Sequence, residues 1–319
     1  MRFVVLGAGA LGTVIAAYLA RAGEDVALIA RGPRAKQLAN EGVTITGLED
    51  FTVEMEIVEQ PSSLNGADVL IMATKTYDTA AAIDAVRHMN LGSIFSIQNG
   101  IMKNAQLAEA FGEDTVLGAV GMLGGAVEAS GAANFMMDNP ILVGELSGAD
   151  STRVAYIVRA LKNAKLTAAA SNTILTEEWT KFVGWLGLSG LAVLTRQESW
   201  KFMVDKDSAR IVARIMQDTA QLPQHLGIPL KTGPMFTFEA ISSGDEDAVV
   251  AFLRQRGEAQ STAAPNFRQS MLQDVDKGKQ FEVEETFGYT VRKAKEFGLS
   301  VPTVETCYRI LSGLNRMLQ

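Results

Sequence analysis

Phe3-Val4-Val5-Leu6-Gly7-Ala8-Gly9-Ala10-Leu11-Gly12 is an apolar, β-branched run that breaks into three glycines and then opens a segment of helical apolar periodicity. It reads as a strand, a tight turn and a helix start, the sequence form of a dinucleotide-binding loop. Gly7 permits the turn off the strand, Gly9 lets backbone N–H groups approach a pyrophosphate, and Gly12 lets helix and strand pack closely. Ala8, Ala10 and Leu11 complete the loop, which sets the diphosphate at the positive end of a helix dipole. A ligand-free strand-to-helix turn is the other reading. The downstream sequence favours the first. Apolar positions continue through Val14, Ile15, Tyr18 and Leu19 to a stop near Gly23, and Asp25 to Ala30 reads as a second buried strand.

At the end of that second strand, where an NAD site places a carboxylate for the ribose 2′-hydroxyl, the chain has Arg31, with Arg34 three residues on. A cation there suits a 2′-phosphate and points to NADP(H); a solvated basic loop, with Gly32-Pro33 fixing a turn, is the alternative. Phe51, Val53, Met55 and Ile57 alternate with polar residues and predict one half-exposed strand, antiparallel or at an edge. Ala67 to Ala73 reads as a buried strand ending in Thr74-Lys75, which puts Lys75 at the carboxyl edge where sheets of this class bind ligands. Ile94 to Ile97 repeats the arrangement and ends in Gln98-Asn99-Gly100, also a good generic turn. Strands are expected at 116–120 and 141–144, with a Gly- and Ala-rich loop or weak strand pair at 121–133 between them.

The 319 residues exceed one ordinary core and suggest two domains. Lys+Arg of 29 against Asp+Glu of 36 gives a net charge of −7, which argues against a nucleic-acid footprint. The single cysteine, Cys307, cannot form an intramolecular disulfide, and with two histidines there is no metal-ligand spacing. A reducing, cytoplasmic setting without a membrane span is the natural expectation: the N-terminus lacks a signal-peptide pattern, and the longest uncharged apolar stretch, 182–195, is short and glycine-rich.

From about residue 173 strand patterning gives way to helices. The fold class expected is α/β, a Rossmann-type dinucleotide-binding domain over residues 1–172 followed by an all-helical substrate domain over 173–319. Thr176-Glu177-Glu178 resembles a helix start, a capping hydroxyl followed by carboxylates. Gly184, Gly187 and Gly190 recur every third residue in the following run and make sense only if something packs very close. Further helices are expected at 207–222, 245–256, 265–277, 284–297 and 303–318. These are apolar enough for a homodimer interface, although the same pattern serves a monomer's core.

If the first half holds a dinucleotide, the second should present a group that protonates what receives the hydride. Lys181 is the best candidate, because an ammonium in apolar surroundings loses basicity and becomes a competent acid; a snorkelling surface lysine is the bland alternative. Ser270-Met271-Leu272-Gln273-Asp274, with Glu282 downstream, forms a second cluster.

Taken together, Gly7 to Gly12, Arg31, Thr74-Lys75, Gln98-Asn99-Gly100, Glu178 to Lys181, and Ser270 to Asp274 with Glu282 resemble the ketopantoate reductases (2-dehydropantoate 2-reductases) over nearly the whole chain. The Ser-Met-Leu-Gln-Asp string is the most specific landmark. The resemblance implies a Rossmann domain plus a helical domain with a 2-keto acid in the cleft between them. It implies Lys181 as general acid, Glu282 on the reacting oxygen or the lysine, Ser270 on the substrate carboxylate, and Lys75 and Asn99 at the cofactor–substrate junction. One and two turns after the lysine the family usually carries asparagines. Here Trp185 and Ser189 occupy that face, which implies a more apolar, differently shaped substrate pocket. The resemblance makes ketopantoate the leading substrate, within pantothenate and coenzyme A biosynthesis, while Trp185 and Ser189 point away from it. The alternatives are a branched or aromatic 2-keto acid, as in the mandelate-type D-2-hydroxyacid dehydrogenases, and a non-enzymatic NADP-binding sensor.

Overall fold

The computed structural model describes residues 1–232 and 238–318 and divides into two compact units, Met1–Leu175 and Thr176–Gln319. In the first, the strands are β1 (Arg2–Leu6), β2 (Asp25–Ile29), β3 (Val43–Gly47), β4 (Phe51–Val53), β5 (Glu56–Val58), β6 (Gly66–Met72), β7 (Asn90–Ser96), β8 (Leu117–Gly121), β9 (Gly124–Val127), β10 (Ala133–Met137), β11 (Ile141–Glu145) and β12 (Ala168–Ala170). Its helices are α1 (Ala10–Arg21), α2 (Gly32–Glu41), α3 (Thr79–Val86), α4 (Lys103–Phe111) and α5 (Thr152–Asn163).

β1, β2, β5, β6 and β7 form a parallel sheet in the order β5-β2-β1-β6-β7. Its central strands are continuous apolar runs because both faces are covered; Phe3, Val4 and Val5 are fully buried, as are Leu70, Ile71 and Met72. A second sheet, β4-β3-β10-β9, packs against α1, and a third, β12-β11-β8, carries α5. Helix α1 is thus held between the parallel sheet and the second sheet, with Val14 to Leu19 buried throughout.

Two expectations are corrected here, and the open choice between a loop and a weak strand pair at 121–133 is decided for the pair. The alternating stretch from Phe51 to Ile57 is two strands. Phe51–Val53 pairs antiparallel with β3, whereas Glu56–Val58 joins the parallel sheet beside β2. Alternation runs unbroken through Glu54 and Met55, so a period of two gave no sign that the chain changes sheet there. Gly32-Pro33 opens α2 rather than fixing a turn, proline being preorganised for a helix's first turn. The 121–133 segment resolves into β9 and the approach to β10, and β10 pairs with both β9 and β3.

The second unit is helical: α6 (Ile174–Thr195, its first two residues within the first unit), α7 (Ser199–Val204), α8 (Lys206–His225), α9 (Phe238–Ser243), α10 (Glu246–Ala263), α11 (Ser270–Asp276), α12 (Tyr289–Glu296) and α13 (Pro302–Met317). α6 begins two residues before the expected Thr176. Ile174 is buried against the backbone at Gly118 and Gly144, so packing sets the first turn ahead of the capping signal. Close approach along the glycine stripe is real. A Cβ on Gly187 would lie 3.1 Å from Val212, and one on Gly190 would lie 2.5 Å from the Phe287 ring. The 265–277 helix is shorter than expected, because Pro265 and Asn266 form a turn closed by the Phe267 N–H on the Ala264 carbonyl and the chain up to Gln269 is tied to α7. The 284–297 helix starts as a π-helical turn, Glu284–Gly288. No helix among the described residues is long and apolar enough to cross a membrane.

Candidate active site

In the first unit the candidate residues fall in a row along one edge. The order β2-β1-β6-β7 carries, at successive carboxyl ends, Arg31, the loop from Gly7 to Gly12, Thr74-Lys75, and Gln98-Asn99. At ~4.8 Å between strands, this row spans ~14 Å.

The glycine loop fits a diphosphate. Gly7 has φ +115°, and its N–H donates to the Ile29 carbonyl at 3.1 Å. A Cβ on Gly12 would lie 2.0 Å from the Gly7 carbonyl oxygen, so only glycine lets the helix come this close to the strand. A Cβ on Gly9, in contrast, would meet nothing within 4 Å. Gly9 is also the N-cap of α1, without a side-chain cap or an acidic residue in the first turn. The helix's first N–H groups and its dipole therefore face open space, a combination suited to an anion.

The two arginines after β2 have separate roles. Arg31 is exposed at the start of α2. Arg34 is committed to the protein: its guanidinium reaches the carbonyls of Ala8 (3.4 Å) and Gly131 (2.5 Å), Gln37 Oε1 (3.1 Å) and Thr13 Oγ1 (3.4 Å). Burial pulls it below the usual arginine range. Arg34 thus ties the glycine loop to the β9–β10 turn, and Arg31 is the cation of the pair that faces solvent.

At the other end of the row, Gln98 is buried and acts as a clamp. Its Nε2 lies 2.9 Å from Thr79 Oγ1, 3.1 Å from Thr74 Oγ1 and 3.2 Å from the Lys75 carbonyl, while its Oε1 accepts from Ser96 Oγ at 2.9 Å. The ends of β6 and β7 are locked together, with Asn99 partly exposed next to the clamp. Lys103, which sequence reasoning passed over, is 4% exposed. Its Nζ donates to the carbonyls of Ser96 (3.0 Å), Gln98 (3.3 Å) and Ala119 (2.5 Å). A lone lysine in an amphipathic segment gives no signal of this role.

In the second unit Lys181, Trp185 and Ser189 share one face of α6. Lys181 and Trp185 are half-buried, and Ser189 is fully buried with its hydroxyl unpartnered. Lys181 is the only basic residue of this 22-residue helix. Glu282 is buried, and its carbonyl accepts from Thr286 Oγ1 at the entry to the π-helical turn, which packs on α6 through Phe287 and Gly190. Ser270 opens α11. The chain before it is held by Trp200 Nε1 to the Pro265 carbonyl (2.9 Å), Gln269 Nε2 to Ser199 Oγ (3.0 Å) and Arg268 to Glu198 (2.9 Å). The described residues contain no cluster of three or more His, Cys, Asp or Glu able to hold a metal.

A parallel sheet with an open, glycine-lined helix N-terminus beside its central strand, followed by a helical unit, is the architecture of the dinucleotide-binding proteins built from a Rossmann-type unit and a helical one. Two family profiles match in tandem, "Ketopantoate reductase PanE/ApbA" over residues 3–148 and its C-terminal counterpart over 173–315. The chain belongs to the ketopantoate reductase family. It is similar to the 2-dehydropantoate 2-reductase of Archaeoglobus fulgidus, with 26% identity over 98% of this chain and 97% of that protein. Among solved structures, a PanE/ApbA family ketopantoate reductase from Ralstonia eutropha superposes with a TM-score of 0.85 at 19% identity, covering all of both chains. D-mandelate dehydrogenase in a ternary complex with NADH and anilino(oxo)acetate superposes at 0.86 and 18%, covering 100% of this chain and 99% of that one.

Proposed function

We propose that the protein reduces a 2-keto acid to the 2-hydroxy acid with NADPH, and that the substrate pair is 2-dehydropantoate and pantoate, a step toward pantothenate and coenzyme A. The observation that carries this reading is Lys181, the lone basic side chain of α6, half-buried on a helix that is uncharged from there to its end. The names of the similar reductases support the substrate. NADPH, when bound, supplies the hydride. Gly7 to Gly12 would hold its diphosphate at the start of α1, Arg31 would take the 2′-phosphate through charge-assisted hydrogen bonds, and Lys75 and Asn99 would border the nicotinamide end. The Lys181 ammonium delivers a proton to the carbonyl oxygen as negative charge develops there. Glu282 holds that ammonium or the oxygen in place, and Ser270 donates to the substrate carboxylate.

A second substrate class is favoured by Trp185. A half-buried indole one turn from Lys181, with the Ser189 hydroxyl a turn further, gives this face more apolar surface than amides would. That suits a branched or aromatic 2-keto acid. Initial rates with 2-dehydropantoate, 2-ketoisovalerate and benzoylformate, each with NADPH and NADH, decide between the two. Highest kcat/KM for 2-dehydropantoate supports the first, preference for benzoylformate transfers the reading to the second, and no turnover with any keto acid defeats both.

A further inference from the structure

The parallel sheet ends at β7, and what lies beyond it is unusual. β8 touches β7 through a single parallel bridge, Ile94 to Val116, and then leaves to pair antiparallel with β11 in another sheet. Beyond that bridge no ladder joins the two strands among the described residues, and the Lys103 ammonium links the end of β7 to the middle of β8 instead. A lysine ammonium has three donors, and three carbonyls lie within reach: Ser96 and Gln98 on the β7 side and Ala119 on the β8 side. The lysine is also in an electrostatically awkward place. It is the first residue of α4, at the positive end of the helix dipole, where carboxylates are the favoured residues. A buried cation there makes sense through what it holds.

What it holds is the segment that carries Asn99. Gln98 is fixed twice, through its side chain to Thr74, Thr79 and the Lys75 carbonyl and through its own carbonyl to Lys103. Gly100 follows at φ +88°, so Asn99 is presented between a doubly anchored residue and a left-handed turn. We infer that Lys103 is a positioning residue of the cofactor edge: by drawing the carbonyls of Ser96, Gln98 and Ala119 onto one ammonium, it fixes the backbone that presents Asn99 to the nicotinamide end of the dinucleotide. This rests on the reading of Asn99 as bordering that end.

The test compares Lys103→Met, Lys103→Gln and Lys103→Arg with the wild type, using two probes in calorimetry: 2′-phospho-ADP-ribose, which lacks the nicotinamide, and NADPH. Expected for Met and Gln are 2′-phospho-ADP-ribose affinity within about twofold of wild type and at least a tenfold loss of the extra affinity that NADPH shows over it. kcat should fall at least tenfold, with a smaller change in keto-acid KM and partial recovery in Arg. In an Asn99→Ala background, Lys103→Gln should leave the NADPH advantage unchanged. Equal weakening of both probes, an unchanged advantage in a folded variant, or additive effects with Asn99→Ala overturns the inference. A wild type that binds NADPH no better than 2′-phospho-ADP-ribose does the same. If the variants do not fold, hydrogen exchange in the wild type decides: backbone amides of 97–101 should exchange as slowly as those of β7, and exchange at exposed-loop rates overturns it. A wild type that binds NADPH with the nicotinamide advantage yet reduces no keto acid defeats the proposed reaction while leaving Lys103 under test by binding alone.

Discussion

Two glycines in one loop, exchanged separately for alanine, should fail in different ways. On Gly12 the added Cβ would sit 2.0 Å from the Gly7 carbonyl oxygen and 3.0 Å from the Ala73 Cβ, about 1.5 Å inside a comfortable ~3.5 Å separation. The oxygen has little freedom to retreat, because Gly7 is held at φ +115° with its N–H bonded to Ile29. Overpacking of this kind costs ~1–3 kcal/mol or more, and the helical preference for alanine returns at most ~1 kcal/mol. The expected net loss is ~2 kcal/mol, a fall in Tm of roughly 4–8 °C for a unit of this size. On Gly9 the same atom meets nothing within 4 Å, and the residue's φ of −71° and ψ of −176° suit alanine. Stability should change by less than ~0.5 kcal/mol. The methyl instead occupies the space a phosphate oxygen needs, so the loss is about one charge-assisted hydrogen bond, ~1.5–3 kcal/mol, or about 10- to 100-fold in NADPH Kd. Thermal denaturation and NADPH fluorescence titration of the two variants read both quantities. Unchanged NADPH affinity in Gly9→Ala refutes the assignment of the open helix N-terminus as the phosphate site. An unchanged Tm in Gly12→Ala refutes the packing argument.

Lys181→Ala should lower kcat by about 10²-fold or more if it is the general acid, with NADPH affinity preserved; near-wild-type turnover removes it from the mechanism. Arg31→Ala should weaken NADPH more than NADH, whereas Arg34→Ala should cost Tm, since Arg34 is spent on the Ala8 and Gly131 carbonyls; equal losses for both cofactors in Arg31→Ala would show that it reads no phosphate. The Arg153 guanidinium, bonded to Glu145 at 2.6 and 2.7 Å, holds that carboxyl below its ordinary 4.5. Because the folded pKa is the lower one, the stability it contributes is present above about pH 4.5 and lost as pH falls below it. Glu145→Gln should therefore lower Tm at pH 7 and flatten its decline in acid; parallel wild-type and variant curves down to pH 3 would contradict this.

The βαβ core was legible because each step carries its own local signal: glycines where the backbone turns or crowds, and uniform apolar runs where both faces of a strand are covered. The α6 glycine stripe was legible for the same reason, as Phe287 and Val212 do approach where Gly190 and Gly187 leave room. The switch of sheets between Val53 and Glu56 was not, since alternation reports which side of a strand is wet and not which strand lies beside it. The sequence put Arg31 at the strand end with Arg34 three residues on, and gave no sign that Arg34 is spent on the Ala8 and Gly131 carbonyls. Lys103 was invisible because its role depends on three carbonyls from strand ends that only the fold brings together. The family landmarks gave Glu282 and Ser270, which local pattern alone would have left among solvated polar residues.

The pairing of β10 with β3 joins residue 133 to residue 45, and α1 lies beneath the sheet that this pairing completes. The hairpin of β3 and β4 is a local structure, but its second partner is about half the unit's length away along the chain, and non-local pairings of this kind close slowly. During synthesis the outer side of α1 is therefore covered by β3 and β4 alone until β9 and β10 have emerged, long after the glycine loop itself has been made. The helix that the glycine loop opens is thus fully packed only when a strand from the later half of its unit arrives, so nascent chains paused before residue 133 should be those most exposed to misassembly.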